Sequence, residues 1–104
     1  MRTRKKHDVC PIERVVSLFG DSCSILIIRD LLQKPQRFTA LQQSLGSSTR
    51  TLSIKLKKLE SEGLIERREY SERPPRVEYK LTRKGAAFNG VADAMRKYGK
   101  RYLK

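Results

Sequence analysis

The chain has 104 residues, about one domain's worth. Its 24 lysines and arginines against 11 acidic residues leave a net charge of +13, which attracts polyanions, nucleic acid first and an anionic membrane surface second. One histidine, two cysteines and no glycine-rich phosphate loop leave too little to assemble a catalytic site, a structural zinc site or a disulfide scaffold, so no enzyme activity, cofactor or metal is expected.

No stretch approaches the roughly 18 apolar residues of a membrane span. The basic start MRTRKK is followed by no signal-peptide core, so the expected location is the cytoplasm, on the nucleoid. Residues 1–9 carry Arg2, Arg4, Lys5 and Lys6 on no apolar pattern and read as a flexible basic arm. His7 and Cys10 have metal-like spacing, but further ligands are missing. Residues 10–104 form the domain.

Pro11 fits the first turn of a helix, where its missing N–H costs nothing. Ile12, Val15, Val16 and Phe19 then recur at helical spacing, and Gly20 can end the run. Asp21 or Ser22 can cap the next helix. Its sequence is apolar almost all round, with Ile25, Leu26, Ile27, Ile28, Leu31 and Leu32, and reads as a central buried helix. Lys34-Pro35 stops it, because the residue before proline avoids helical angles.

A helix-turn-helix is expected over about 39–62. Thr39 and Gln42 have capping-box spacing, and Leu41 and Leu45 give a short helix one apolar face. Gly46-Ser47 is a turn, and Ser48 is a good N-cap. Leu52, Leu56 and Leu59 form an amphipathic stripe that ends before Gly63. With Leu52 inward, about 100° per residue turns Arg50, Ile54, Lys57, Lys58 and Ser61 outward, with Thr49 and Ser53 on the flank. Such a face can read DNA, with Ser48, Thr49, Arg50, Ser53, Ile54 and Lys57 as the expected contacts: Arg50 can pair with guanine, and Ile54 or Thr49 can touch a thymine methyl.

A wing is expected over about 64–82. Leu64 to Tyr70 and Val77 to Thr82 alternate as strands, and Ser71 to Arg76 connect them. Pro74-Pro75 stiffens the tip, so Arg73 and Arg76 would be held out toward phosphate or a narrow minor groove. Thr82 can cap a final helix over about 83–103. Its stripe of Phe88, Val91, Met95, Tyr98 and Tyr102 is a seam for another helix. A chain this small has little core to spare, so that seam is expected to join two copies. The fold class is thus mainly α with a small β-hairpin: a winged helix-turn-helix with N- and C-terminal dimerisation helices.

The segments Cys10-Pro11-Ile12-Glu13, RFTALQQSL, LKKLESEGLIERREY and PPRVEYKLTRKG resemble those of the HxlR-type winged helix-turn-helix transcription regulators, relatives of the MarR group. The resemblance covers about residues 10–90. It implies a homodimer, joined through the terminal helices, on a pseudo-palindromic operator. It also implies a redox-active thiol at Cys10, an expectation supported by its place before a helix N-terminus among cations, which favours thiolate. An oxidant or a small molecule would then be the effector. The chain departs from the family pattern in having Cys23 where tryptophan is frequent and Ser47 where a small aliphatic residue is frequent. The competing function is a non-specific architectural protein that coats double-stranded DNA with the same scaffold. The mixed face of Thr49, Ser53 and Ile54 favours sequence reading, since phosphate binding alone needs no such mixture. RNA is less favoured, because the chain lacks an aromatic stacking platform.

Overall fold

A computed structural model describes residues 10–104. The basic arm and His7 lie outside the described residues. Helix α1 spans Pro11–Phe19, with Cys10 as its N-cap and Pro11 in its first turn. Helix α2 spans Ser22–Leu31 and is capped by Asp21, whose carboxylate accepts the Ser24 N–H at 2.8 Å. Helices α3 (Phe38–Leu45) and α4 (Thr49–Ser61) form the helix-turn-helix. Strands β1 (Ile65–Tyr70) and β2 (Arg76–Leu81) form the wing, followed by α5 (Arg83–Ala86) and α6 (Asn89–Tyr102). No helix among the described residues is long and apolar enough to cross a membrane.

The core is built around α2, which touches α1, α3, α4 and β2. Ile27, Ile28 and Leu31 of α2 meet Leu41 of α3 and Leu52, Leu56 and Leu59 of α4, all buried as their spacing requires. Leu64 and Ile65 close the core from the wing side. The expectation of burial all round α2 is corrected at Leu32, a half-buried C-cap, and at Ile25 and Leu26. The latter two are half-buried and line an apolar groove of about 260 Å³ against Phe88, Ala92 and Met95.

The turn of the helix-turn-helix depends on Gly46, which ends α3 at φ +64°, where a side chain would be strained. Ser47 follows with its hydroxyl buried and unpartnered, so the extra polarity expected of this turn earns no hydrogen bond there. The predicted capping box is corrected. The N-cap of α3 is Arg37, with no side-chain cap bond, and Thr39 lies inside the helix. Gln42 reaches forward instead, donating to the Ser47 carbonyl at 3.4 Å and to Thr49 Oγ1 at 2.9 Å. The early start has a tertiary cause. Gln36 exchanges backbone hydrogen bonds with Tyr79 at 3.0 and 2.8 Å, so the segment before α3 lies along β2.

The hairpin is antiparallel, pairing Ile65 with Leu81 at its base and Tyr70 with Arg76 at its tip. The single final helix expected from Arg83 is two helices. Thr82 caps α5 through the Gly85 N–H at 3.2 Å, and the chain bends at Ala87 and Phe88 before α6. Gly85 permits the docking of α5: a Cβ there would stand 2.0 Å from the Leu64 carbonyl oxygen. The bend turns Phe88 inward against Phe19, ring centroids 4.5 Å apart. Phe88, expected in the dimer seam, is therefore part of the chain's own core.

Candidate nucleic-acid interface

Helix α4 owes its orientation to its buried leucines, which leave the opposite face to solvent. Ser48 caps its first turn, accepting the Thr51 N–H at 3.1 Å and contacting Thr51 Oγ1 at 3.0 Å, so its hydroxyl is already engaged. Thr49 is exposed and held by Gln42. Arg50 and Lys57 are exposed and pair with no carboxylate among the described residues. Ile54, between them, is 52% exposed, a large apolar group shown to water on a cationic face. Ser53 is half-buried, less accessible than its exposed neighbours on this face. Ser61 folds back, its hydroxyl donating to the Lys58 carbonyl at 2.8 Å.

The inner edge of this face carries a contact that no local pattern signals. Asp21 Oδ2 lies 3.5 Å from Lys55 Nζ and 3.8 Å from Lys58 Nζ, tying the start of α2 to α4. Burial opposes the charge on Asp21. Hydrogen bonds from the Ser24 backbone and side chain and the two lysine charges outweigh it, holding the carboxyl below its ordinary value. The stability this lends is present above the unfolded carboxylate value and is lost as pH falls through the lowered one.

The wing differs from expectation at Arg76. Its guanidinium turns back over the Tyr70 ring, 4.3 Å from the centroid, and bonds Glu72 at 2.9 Å and Glu78 at 3.6 Å. The paired carboxylates and the aromatic face offer a planar cation more than solvent does. Arg67, Arg68 and Lys80 are likewise paired with Glu69 or Glu66. Arg73 is exposed and pairs with no carboxylate among the described residues. Arg73→Ala is accordingly expected to weaken binding to every duplex and to lower the salt-dependence slope by about 0.9. Arg76→Ala should leave that slope nearly unchanged and loosen the hairpin instead. Equal slope losses in the two variants would return Arg76 to the phosphate-contact set.

The two thiols sit in different settings. Cys10 is exposed, and its Sγ accepts the Glu13 N–H at 3.4 Å at the start of α1. Cys23 is half-buried against the core. Burial pushes its thiol up, the Asp21 carboxylate adds to this, and Lys55 opposes it. The net effect disfavours the thiolate, the reactive form, at Cys23.

Helices α1 and α6 present apolar residues outward. Ile12 is 74% exposed, and Val15, Val16, Val91, Met95, Tyr98 and Tyr102 are also exposed, although each lies on a regular apolar stripe. Tyr98 and Tyr102 pack on each other, centroids 5.0 Å apart.

Three helices around a buried leucine core, an exposed cationic helix after a tight turn, and a hairpin directly behind it define a winged helix-turn-helix, the DNA-binding architecture of transcription regulators. The HxlR-like helix-turn-helix family matches residues 18–104, and the chain belongs to that family. It is 44% identical over 96 residues to a helix-turn-helix-type transcriptional regulator of Synechocystis sp., covering 91% of this chain and 71% of that one. Among solved structures it resembles a MarR-family transcriptional regulator from Porphyromonas gingivalis at a TM-score of 0.85 and 32% identity, covering 98% of this chain and 100% of that one. It also resembles the redox regulator HypR in its oxidised form, at a TM-score of 0.81 and 27% identity over 88% of this chain and 95% of that one. The chain is thus a transcription regulator of the helix-turn-helix type, mainly helical with a two-stranded wing.

Proposed function

We propose that this regulator binds a pseudo-palindromic operator as a homodimer and reads its sequence with α4. The observation that carries this reading is the outer face of α4, where Ile54 is 52% exposed beside Arg50 and Lys57, which pair with no carboxylate among the described residues. Cations alone would serve phosphate. An exposed isoleucine costs solubility and suits a thymine methyl, while Arg50 suits a guanine edge. Thr49 and Ser53 flank the reading residues, Ser48 fixes the helix start, and Arg73 grips the backbone beyond them.

The dimer forms through α1 and α6. Val91, Met95, Tyr98 and Tyr102 on α6, with Ile12, Val15 and Val16 on α1, form a regular, exposed apolar surface of the kind that marks an interaction site, which supports this seam. The pairing places the two α4 helices in successive major grooves, about 34–36 Å apart. The protein works in the cytoplasm, on the nucleoid. The test is whether an operator duplex keeps the protein against an excess of random DNA. The architectural reading is favoured only by the net charge of +13 and predicts that it does not.

Regulation runs through Cys10. Its exposure at a helix start and the likeness to a redox regulator support this. Mild oxidation is expected to change operator affinity in the wild type and in Cys23→Ser, and to leave Cys10→Ser unchanged. The same response in Cys10→Ser would remove Cys10 from the switch. A small-molecule effector would then be the remaining route.

A further inference from the structure

Asp21 is an acid in a strongly basic chain, and it faces the DNA-reading helix. Its N-cap role accounts for one oxygen: Oδ1 accepts the Ser24 N–H at 2.8 Å. The other accepts the Ser24 hydroxyl at 2.9 Å and stands within 3.5 Å of Lys55 Nζ and 3.8 Å of Lys58 Nζ. The Ser24 hydrogen bonds fix the carboxylate independently of the lysines, so the counter-ion is preorganised. Lys58 lies about 40° around the helix from Ile54 and Lys55 about 100°, so both border the reading face. Both lysine side chains are partly covered, at 27% and 35% exposure. Arg50 and Lys57, on the rest of that face, have no carboxylate partner among the described residues.

We infer that Asp21 is an internal stand-in for a DNA phosphate, withholding Lys55 and Lys58 from the backbone of non-operator DNA and so setting the specificity of the interface. Non-specific binding is almost wholly the release of counter-ions by protein cations, whereas operator binding adds base contacts that do not need these lysines. In the operator complex the base contacts fix α4 and leave both lysines on Asp21, whereas a random duplex, held in no fixed register, can draw them to phosphate; the fixed carboxylate therefore lowers affinity for random DNA more than affinity for the operator. Asp21 acts through the lysines and touches no DNA, which makes it a positioning residue. The inference rests on α4 being the DNA-reading helix.

The test is the salt dependence of binding to a random duplex and to the operator, with wild type, Asp21→Asn, Asp21→Asn combined with Lys58→Gln, and Asp21→Asn combined with both Lys55→Gln and Lys58→Gln. Asparagine caps a helix as well as aspartate does, so the substitution removes the charge and keeps the cap. Asp21→Asn is expected to bind random DNA more tightly and to steepen the slope by about 0.9 per released lysine. Each such lysine adds an about three- to fourfold loss of affinity between 50 and 200 mM salt. The operator-to-random ratio should fall, and Lys58→Gln in the same chain should reverse part of the change. An unchanged slope in Asp21→Asn, or a steepening that survives loss of both lysines, overturns the inference while leaving α4 as the reading helix. A wild type that binds no duplex overturns both. Should Asp21→Asn not fold, Lys55→Gln and Lys58→Gln in the otherwise native chain decide. They should leave the random-DNA slope unchanged, and a drop of about 0.9 would show that the lysines already serve phosphate.

Discussion

Phe88→Ala is expected to destabilise the folded chain by about 3–5 kcal/mol, the range for emptying a buried aromatic site. The ring is 9% exposed, packs on Phe19 and sits at the bend between α5 and α6. Its loss would leave a void beside Ile25 and would release α6 from the body of the domain. Tyr98→Ala serves as the contrast, because Tyr98 is 60% exposed and belongs to the proposed seam. Denaturant unfolding at two protein concentrations separates the two. Phe88→Ala should lower the midpoint at both concentrations. Tyr98→Ala should leave the isolated fold nearly intact and raise the concentration needed for the dimer. A Phe88→Ala protein of native stability that merely fails to associate would put Phe88 back in the seam.

Arg50→Ala is expected to cost about 1–3 kcal/mol at one base pair of each half-site and to relax preference there. Arg50 stands in the first turn of α4, the part of a recognition helix that enters the major groove, and nothing in the described chain competes for its guanidinium. Binding to the operator and to single-base-pair variants of it reads the effect directly. The variant should lose discrimination at its own position and keep it elsewhere. Equal losses on operator and random duplexes would reduce Arg50 to a phosphate contact.

The legible parts of this fold are those that local chemistry decides. The 3.6-residue stripes of Leu52, Leu56 and Leu59, the alternation of the wing strands, Pro11 at a helix start and Gly46 in the turn each follow from a few neighbouring residues. The missed parts are tertiary. Thr39 and Gln42 have the spacing of a capping box, but the bridge from Gln36 to Tyr79 fixes where the segment before α3 lies. Phe88 lies on the α6 stripe, yet the docking of Gly85 against Leu64 bends the chain and turns the ring inward. Arg76 stands beside the prolines, but Glu72, Glu78 and Tyr70 draw it back over the hairpin. The bond from Asp21 to Lys55 and Lys58 joins distant parts of the sequence and leaves no periodic trace. Of the candidate site, the outer face of α4 was readable in advance, because helix geometry assigns a face once the buried leucines are known. Which cations on it are free was not, because that depends on partners brought in by the fold.

The proposed function requires a dimer of this chain to read a specific sequence. The most direct measurement is binding to a labelled duplex from just upstream of its own gene, at physiological salt, with reductant and a large excess of random competitor DNA. Binding should survive the competitor and leave a footprint of two half-sites about one helical turn, roughly 34–36 Å, apart. With genome-wide occupancy measured alongside, binding that the competitor removes and occupancy that follows no sequence would contradict it and leave a charge-driven DNA coat in its place.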